Sequence, residues 1–569
     1  MRLLRRLVPL LALVAPAVGG GAPPRPNVVV ILTDDMGYSD LGCFGGEIAT
    51  PNLDALAAGG LRFTQFYNAT RCCPTRAALL TGLYPHQAGM GFMVRKIDHP
   101  GYAGDLSRSA VTLAEVLRGA GYHTAMAGKW HVSQSHHPRD GIASWPVQRG
   151  FDRFYGTLRG FGSFYDPDTL CRQNTFISPA ADPEYQPQAY YYTDAINDHA
   201  IRYVREAPRD RPFFLYVAHT AAHWPLQAPA EEVAKYRGRY DAGYDAIRRA
   251  RLARLRALGL FPPDAPAAPT IGRWAEVADP AWEARGMEVY AAMIDRMDQG
   301  IGRLMEELRR SGRAENTLTL YLHDNGACAE RQGRDAPAGK AARVPADLRP
   351  LRPEELQTRA TPPMQTRDGR PVRSGPGVMP GPEDTYVGYG EAWANVANTP
   401  FREYKHWVHE GGIATPLIAH WPAGIPAARR GGLEREPGHV IDLMATVVDL
   451  AGAPYPREFA GQAIKPPEGR SLVPLLTAAP GAPARPDRPL FWEHESNRAV
   501  RLGRWKLVAM ADQPWELYDL ATDPAELRDL AAAEPARVQA MAAAWDDWAR
   551  RADVLPLGAW KPAYRTPGK

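Results

Sequence analysis

The sequence predicts an α/β fold: a large mixed, mostly parallel sheet sandwiched by helices, followed by a smaller C-terminal α+β domain with a short antiparallel sheet. Short apolar runs rich in β-branched residues alternate with helix-like stretches along most of the chain, which is typical of α/β proteins. Near the C-terminus, several strand-like runs follow one another before one helical stretch. The 569 residues exceed the roughly 250–300 residues at which one core stops growing, so more than one domain is expected.

Five apolar runs are predicted to be strands of the large sheet, at residues 27–32, 123–127, 213–217, 318–322 and 416–419. The clearest helix is predicted over residues 284–310, where six apolar side chains recur at helical spacing: Met287, Ala291, Ile294, Ile301, Leu304 and Leu308. Gly312 stands where a C-terminal cap belongs. In the C-terminal region, strands are predicted over 490–494, 499–510 and 515–520, and a helix over 535–550.

These elements predict a division of the chain into a signal peptide at 1–22, a large domain at 23–477, a linker at 478–489 and a C-terminal α+β subdomain at 490–569. A Pro- and Gly-rich stretch inside the large domain is interpreted as an insertion at 336–400 that runs over the surface. Because binding specificity resides mostly in loops, it is expected in residues 227–285 and 336–400.

The first residues have the pattern of a secretory signal. Three arginines, at positions 2, 5 and 6, precede an apolar run over residues 7–18, and Ala15-Pro16-Ala17 offers small residues for cleavage. The run is too short to span a bilayer comfortably, and a buried N-terminal helix is the alternative. The sequence therefore predicts export, to the periplasm or as a secreted protein, and no integral membrane anchor.

Charge and cysteine content exclude two classes of protein, those that bind nucleic acid and those built on a disulfide framework. Removal of the three signal-peptide arginines lowers the formal net charge from +4 to +1, whereas a nucleic-acid-binding protein keeps a large basic excess. Nucleic acid is therefore not expected as a partner. The five cysteines are too few for a disulfide framework, and the odd number leaves at least one thiol unpaired: Cys43, Cys72, Cys73, Cys171 and Cys328.

Polar residues follow four of the predicted strands, at the point where each strand ends. These segments contain Asp34-Asp35, Lys129 with His131, His219 with His223, and His323-Asp324-Asn325. Ligand sites of open parallel sheets lie outside the carboxyl ends of the strands, so we expect these side chains to converge. Four of them offer oxygen ligands, which favour Ca²⁺ or Mg²⁺ over zinc: Asp34, Asp35, Asp324 and Asn325. The alternative is that each pair makes an ordinary Asx turn.

The segment Cys72-Cys73-Pro74-Thr75-Arg76, followed by Leu80-Thr81-Gly82, carries the most specific pattern. A buried structural cysteine before a helix is one interpretation, although the neighbouring threonines and arginines make the surroundings polar. A thiol nucleophile assisted by a histidine is another. A thiolate, however, suits a cluster of hard oxygen ligands poorly.

The sequence resembles the type I sulfatases, arylsulfatase-like members of the alkaline phosphatase superfamily. Their signature is Cys-x-Pro-x-Arg followed by Leu-Thr-Gly, and six residues of the chain stand at its positions: Cys72, Pro74, Arg76, Leu80, Thr81 and Gly82. The resemblance implies that a formylglycine-generating or anaerobic sulfatase-maturing enzyme oxidises Cys72 to formylglycine. Hydrated to a gem-diol, this aldehyde would attack sulfur with one hydroxyl and release sulfate with the other.

The resemblance also implies roles for the remaining residues. One Ca²⁺ per chain, with Mg²⁺ less expected, would be held by oxygen atoms of five side chains: Asp34, Asp35, modified Cys72, Asp324 and Asn325. Arg76 would stabilise the nucleophile and the metal site. Lys129 and Lys405 would bind sulfate oxygens, His131 would take a proton from the second hydroxyl, and His223 would protonate the leaving alcohol. His219 and His323 are interpreted as supporting residues.

The function implied is hydrolysis of sulfate esters, either aryl sulfates or sulfated carbohydrates, to an alcohol or phenol and inorganic sulfate. One alternative is a phosphodiesterase or phosphonate monoester hydrolase with the same nucleophile. An alternative of another class is an inactive protein that binds sulfated glycans. The sequence leaves open the sulfated substrate, the oligomeric state and any further sulfate-contacting residue in loop 156–165, where Ser163 is only a weak candidate.

Overall fold

The computed structural model describes residues 25–335 and 348–559. The predicted signal peptide at 1–22 and the first part of the predicted insertion, residues 336–347, lie outside the described residues. Of the helices in the described ranges, none has the length and apolar content needed to cross a lipid bilayer.

Eleven strands of the described chain form one large sheet. They are β1 Asn27–Thr33, β2 Leu61–Tyr67, β3 His123–Gly128, β4 Arg153–Thr157, β5 Leu170–Arg172, β6 Thr175–Phe176, β7 Phe213–Ala218, β8 Thr317–His323, β9 Ala414–His420, β10 Gly432–Glu434 and β11 Gly438–His439. The order is β10-β2-β9-β8-β1-β7-β3-β4-β5-β6, with β11 also paired to β2. All five predicted strands are present, and the central run β8-β1-β7-β3-β4 is parallel.

Strand β9 differs from its predicted neighbours because it runs antiparallel to both β8 and β2. Its N-terminal end, rather than its C-terminal end, therefore lies at the carboxyl edge of the parallel strands. As a result, the segment that precedes β9 reaches the edge where ligands bind in such sheets. Strand β2 was not predicted from the sequence. Its C-terminal end reaches the same edge and leads into the helix that begins at Cys72.

The described chain contains twelve α-helices, α1 Pro51–Gly59, α2 Cys72–Thr81, α3 Leu113–Gly119, α4 Tyr192–Glu206, α5 Ala230–Ala234, α6 Gly243–Ala257, α7 Pro280–Arg310, α8 Gly390–Ala397, α9 Glu410–Ile413, α10 Asp442–Ala451, α11 Val473–Thr477 and α12 Pro535–Arg551. They cover both faces of the sheet. Val29 and Ile31 of β1 pack in one core with α4 and α7. Val28, Val30 and Leu32 pack in a second core with α2, α3 and α10. Alternate side chains of one strand thus enter opposite layers, which confirms the predicted sandwich.

Helix α7 begins four residues before the predicted start. Pro280 occupies its first turn, and the Asp279 carboxylate accepts a hydrogen bond from the Trp282 amide at 3.0 Å. This cap and the N-terminal proline fix the start of the helix more strongly than the apolar periodicity does. The predicted end is correct, since the helix stops at Arg310 and Gly312 has a φ of 71°.

The C-terminal sheet has four antiparallel strands, β14 Pro489–His494, β15 Asn497–Leu502, β16 Trp505–Ala509 and β17 Glu516–Asp519. The single strand predicted over 499–510 is wrong, because Gly503 and Arg504 form a turn that divides it into β15 and β16. Gly503 has a φ of 58°, which the short hairpin requires. A minor two-stranded ribbon, β12 Glu458–Phe459 with β13 Gln462–Ala463, precedes this sheet.

Two regions expected to carry specificity differ in character. Residues 227–285 contain helices α5 and α6 and the start of α7. In the predicted insertion 336–400, the described residues 348–389 contain no helix or strand longer than an isolated bridge, whereas α8 is largely buried. Met364, Val372 and Tyr386 of the insertion form a small core that packs on Trp224.

A buried ion-pair cluster joins the C-terminal sheet to the large sheet. The ammonium of Lys506, on β16, lies 2.8 Å from Glu410 Oε1 and 2.7 Å from Glu526 Oε1. Lys506 and Glu526 are fully buried, and the Glu526 carboxylate also accepts a hydrogen bond from the Glu410 amide at 2.7 Å. Since Glu410 begins α9, this cluster anchors the segment that precedes β9.

Replacement of Lys506 by methionine is expected to lower the free energy of unfolding by about 3–5 kcal/mol, because two buried carboxylates lose their cation. Denaturant unfolding followed by circular dichroism measures this change. Arg309→Met, at a solvent-exposed ion pair with Glu306, is the control and should leave the free energy of unfolding nearly unchanged. Equal stability of Lys506→Met and the wild type would contradict the expectation.

Candidate active site

Four parallel strands deliver polar side chains to one edge of the sheet. Asp34 and Asp35 follow β1, Asp324 and Asn325 follow β8, Lys129 and His131 follow β3, and His223 follows β7. Among these, the residues without solvent exposure are Asp34, Asp35, Lys129, Asp324 and Asn325. The convergence expected from the strand ends is therefore present in the structure.

Arg76 is a buried cation at the centre of this cluster. Its Nη2 donates to Asp324 Oδ2 at 2.8 Å and to Asp34 Oδ2 at 3.2 Å. Its Nη1 donates to the carbonyl oxygen of Lys129 at 3.1 Å. A guanidinium suits this position because its planar donors reach acceptors that follow three different strands, β1, β3 and β8, at once.

Two lysines contact the two carboxylates that follow β1, one each. The ammonium of Lys129 donates to Asp34, and the ammonium of Lys405 donates to Asp35 at 3.0 Å. Lys405 comes from the segment before β9, so the antiparallel direction of β9 brings it to the site. Both lysines are at most 2% exposed, and nearby carboxylates raise the pKa of each although burial acts in the opposite direction.

His223 lies beside Lys405 and Asp35. Its Nδ1 is 2.6 Å from the Trp224 carbonyl oxygen, an atom that can only accept, so Nδ1 carries a proton. Its Nε2 faces the site, 3.4 Å from Asp35 Oδ2 and 3.4 Å from Lys405 Nζ. Burial lowers the pKa of His223, while Asp35 opposes this effect. Nε2 is therefore the nitrogen that can exchange a proton inside the site.

The oxygen atoms of this cluster fit a hard divalent cation. Asp34 Oδ1 and Asn325 Oδ1 are buried and have no hydrogen-bond partner among the described residues. Asp34, Asp35 and His223 each offer a ligand atom within 4.8 Å of the others. Burial and the charge of Asp324 raise the pKa of Asp34 to about 7, although Lys129 opposes them. A bound cation would satisfy both unpaired oxygens and relieve the repulsion between the carboxylates.

Cys72 is the first residue of α2 and is 1% exposed. Its Sγ, the Cys73 Sγ and a ring nitrogen of His131 all lie within 4.8 Å of one another. A hydrogen bond with Cys73 and the charge of Lys129 lower the pKa of Cys72 well below its usual range, although burial raises it. Arg76 lies four residues later on α2 and contacts Asp34 and Asp324, so the start of this helix lies beside the predicted cation ligands.

His131 lies on the Cys72 side of the site. It adopts a φ of 56°, and its amide donates to the Leu158 carbonyl oxygen at 3.2 Å. Gly160 leaves space for its ring, since a Cβ there would lie only 2.1 Å from the imidazole. Burial lowers the pKa of His131 to about 3, so the ring is neutral and able to accept a proton.

Four residues around Lys405 and His223 form an outer group that was not predicted from the sequence: Arg71, Phe161, Trp224 and Glu330. Phe161, from loop 156–165, stacks on His223 with ring centroids 6.2 Å apart. The carboxylate of Glu330 accepts hydrogen bonds from Arg71 Nη2 and Trp224 Nε1, each at 2.9 Å. Phe161, Trp224 and Glu330 are partly exposed, so the site meets solvent here. In the sequence, Arg71, Trp224 and Glu330 stand near Cys72, His223 and Asn325, and Phe161 belongs to loop 156–165.

His323 and Ser163 make structural hydrogen bonds, whereas His219 is simply buried. The ring of His323 lies 3.1 Å from the Met36 carbonyl oxygen through Nδ1 and 3.1 Å from the Tyr321 hydroxyl through Nε2. His219 is fully buried, and neither of its ring nitrogens has a hydrogen-bond partner in the described chain. The Ser163 hydroxyl accepts hydrogen bonds from the Tyr165 and Asp166 amides, so it stabilises its own turn.

Comparison with protein-family models shows which family the chain belongs to. The family model of the sulfatases matches residues 26–453 of the chain. The chain belongs to the sulfatase family. A second family model, the C-terminal part of N-sulphoglucosamine sulphohydrolase, matches residues 402–544. This sulfatase is a sulfuric ester hydrolase of the arylsulfatase-like kind, which confirms the predicted family and enzyme class.

Individual relatives agree with this membership. The arylsulfatase of Klebsiella aerogenes is 34% identical over 489 residues, which cover 82% of this sulfatase and 96% of the relative. An uncharacterized sulfatase of Schizosaccharomyces pombe is 32% identical over 511 residues and 85% of each chain. A solved structure, Ps i-CgsB in complex with k-i-k-neocarrahexaose, is 23% identical with a TM-score of 0.63 and covers 95% of this chain and 96% of its own. The predicted fold class is thereby confirmed.

The oxygen cluster predicts stabilisation by Ca²⁺. Because a ligand that binds only the folded state stabilises it, a hundredfold excess over Kd should add about 2.7 kcal/mol and raise Tm. To measure this effect, bound metal is first removed with a chelator, and thermal unfolding is then followed at increasing Ca²⁺ concentration. Asn325→Ala should shift the titration to higher Ca²⁺, and Asp140→Asn, at an exposed position, should not. A Ca²⁺ response identical in Asn325→Ala and the wild type would contradict this ligand set.

Proposed function

We propose that this sulfatase hydrolyses sulfate esters with a formylglycine made from Cys72 and a Ca²⁺ held by Asp34, Asp35, Asp324 and Asn325. The observation that carries the proposal is the position of Cys72. It lies at the start of α2, beside His131 and within the field of Lys129, whose ammonium contacts the cation ligand Asp34. A nucleophile precursor, a proton acceptor and a hard-cation site therefore adjoin one another.

The modified residue and the cation would supply chemistry that the unmodified side chains lack. Formylglycine, once hydrated, supplies one hydroxyl that attacks sulfur and a second whose deprotonation expels sulfate. Ca²⁺ supplies Lewis acidity that lowers the pKa of a bound hydroxyl and withdraws charge from sulfate oxygens.

The buried cations of the chain would stabilise the charge that builds on the sulfuryl oxygens. Lys129 and Lys405 each have a buried ammonium at the site. Arg76 compensates the negative charge of Asp34 and Asp324. In a water-excluded site, removal of one such donor typically costs about 2.7–4 kcal/mol of transition-state stabilisation. Their contacts with Asp34 and Asp35 would weaken when the cation binds those carboxylates, which would allow the ammonium groups to contact sulfate.

Two histidines would carry the proton transfers. His131 is neutral beside Cys72, so it can accept the proton of the second hydroxyl during sulfate release. His223 presents Nε2 to the site next to Asp35, which would stabilise the imidazolium that donates to the leaving alkoxide. In this proposal His131, beside Cys72, serves the nucleophile, and His223, beside Asp35 and Lys405, serves the leaving group.

The physiological setting completes the proposal. The protein would be exported, would receive its formylglycine from a maturing enzyme, and would act on a small-molecule or carbohydrate sulfate ester. An inactive glycan-binding protein is disfavoured because none of the side chains proposed for the chemistry is missing from the sequence. A phosphodiesterase or phosphonate monoester hydrolase with the same nucleophile is the alternative. Direct comparison of turnover of sulfate and phosphate esters distinguishes the two.

The formylglycine assignment is tested by mass spectrometry of the peptide that contains Cys72, together with turnover of 4-nitrophenyl sulfate. We expect an aldehyde at position 72 in active protein. Cys72→Ala should lower kcat by at least about 10⁴-fold while thermal stability is retained, because the nucleophile is lost. Cys43→Ala is the control and should remain active. An unmodified thiol in a fully active preparation would refute the mechanism.

The role of His223 predicts a dependence on the leaving group. His223→Ala should lower kcat/KM for an alkyl sulfate by about 10²–10⁴-fold, because an alkoxide needs a proton donor. The loss for 4-nitrophenyl sulfate should be much smaller, since nitrophenoxide leaves without protonation. His137→Ala, at an exposed position, is the control and should affect neither substrate. Equal losses for the two substrates would rule out His223 as the proton donor.

A further inference from the structure

Glu330 is a carboxylate at the site that neither the cation nor the proton transfers require. It lies five residues after Asn325, and its side chain is 17% exposed. Its two oxygens accept hydrogen bonds from Arg71 Nη2 and Trp224 Nε1, and Oε2 is 3.9 Å from Lys405 Nζ. Two cationic groups and an indole N–H lie around it, and such neighbours favour the carboxylate over the neutral acid.

Lys405 consequently faces two acids. Its ammonium lies 3.0 Å from Asp35 and 3.9 Å from Glu330. Asp35 belongs to the proposed cation-ligand set, and a bound cation would compensate its charge. Glu330 contacts Arg71, which also faces Glu495 at 3.6 Å, so this arginine is shared between two carboxylates. On the solvent-facing side of Lys405, the electrostatic potential is therefore less positive than Lys405 and Arg71 alone would make it.

The charge of the ester decides how strongly such a carboxylate acts. A sulfate monoester carries one negative charge, as does a phosphate diester, whereas a phosphate monoester carries two above neutral pH. A fixed negative charge beside Lys405 repels a dianion about twice as strongly as a monoanion of the same shape. In a partly buried site, this difference of one unit charge is large enough to alter selectivity.

We propose that Glu330 is a specificity-determining residue that disfavours doubly charged esters relative to singly charged ones. The inference rests on the proposed function, because it places the reacting ester at Lys405. The proposal requires no contact between Glu330 and the reacting atoms. It acts through the electrostatic potential around Lys405, and its contacts with Arg71 and Trp224 fix its distance from that ammonium.

The test compares Glu330→Gln with the wild type on three esters of 4-nitrophenol. Glutamine removes the charge and keeps an oxygen that can accept from Trp224 Nε1. The substrates are 4-nitrophenyl sulfate and bis(4-nitrophenyl) phosphate, both monoanions, and 4-nitrophenyl phosphate at pH 8, a dianion. We expect kcat/KM for the dianion to rise about tenfold relative to both monoanions, and this relative gain to shrink as salt is added.

Glu306→Gln, at an exposed ion pair with Arg309, is the matched control and should leave all three ratios unchanged. Circular dichroism and Tm establish that Glu330→Gln is folded. An unchanged ratio of dianion to monoanion, or an equal gain for all three esters, would overturn the inference. If the wild type cleaved the phosphate diester but not the sulfate ester, the proposed function would fail, while the comparison between dianion and monoanion would still decide the role of Glu330.

Discussion

The site depends on holding three carboxylates and their counter-ions together where they are buried from solvent. Asp34, Asp35 and Asp324 are fully buried, and such groups are costly unless each is paired. Arg76 and Lys129 provide part of the compensation through direct contacts, but two oxygens of the cluster remain without a hydrogen-bond partner in the described chain. These two oxygens leave the ion-pair network incomplete, and a hard cation would complete it. The same imbalance would supply the electrostatic field for sulfuryl transfer.

The direction of the strands determines which chain segments share this field. Parallel strands β1, β3, β7 and β8 end at one edge, as ligand-binding α/β sheets require. Strand β9 runs the other way, so the residues before it reach the edge and bring Lys405 opposite Asp35. The C-terminal sheet stabilises this segment through Lys506 and Glu526, although it supplies none of the predicted site residues. Through these contacts it supports the segment that carries Lys405.

Much of the site could be predicted because each residue immediately follows a strand or belongs to a short contiguous motif. Asp34, Lys129, His223 and Asp324 were recognisable from their local position, and the resemblance to a family added Lys405. Glu330 could not be found in this way, because its significance comes from Arg71 and Trp224, which are 259 and 106 residues away in the chain. The division of residues 499–510 into two strands was also missed, since a single Gly-Arg turn interrupts an otherwise continuous apolar pattern.

The sequence by itself determined the fold class, the family and the set of chemical groups available, because periodicity, strand-end residues and the Cys72 motif are local properties. The tertiary structure decided which of those groups face one another and which are left without partners. Charge compensation and orphaned oxygens depend on distances across strands, which no local pattern encodes. For this reason the hard-cation fit, the orientation of His223 and the acidic neighbour of Lys405 became visible only when the strands were assembled.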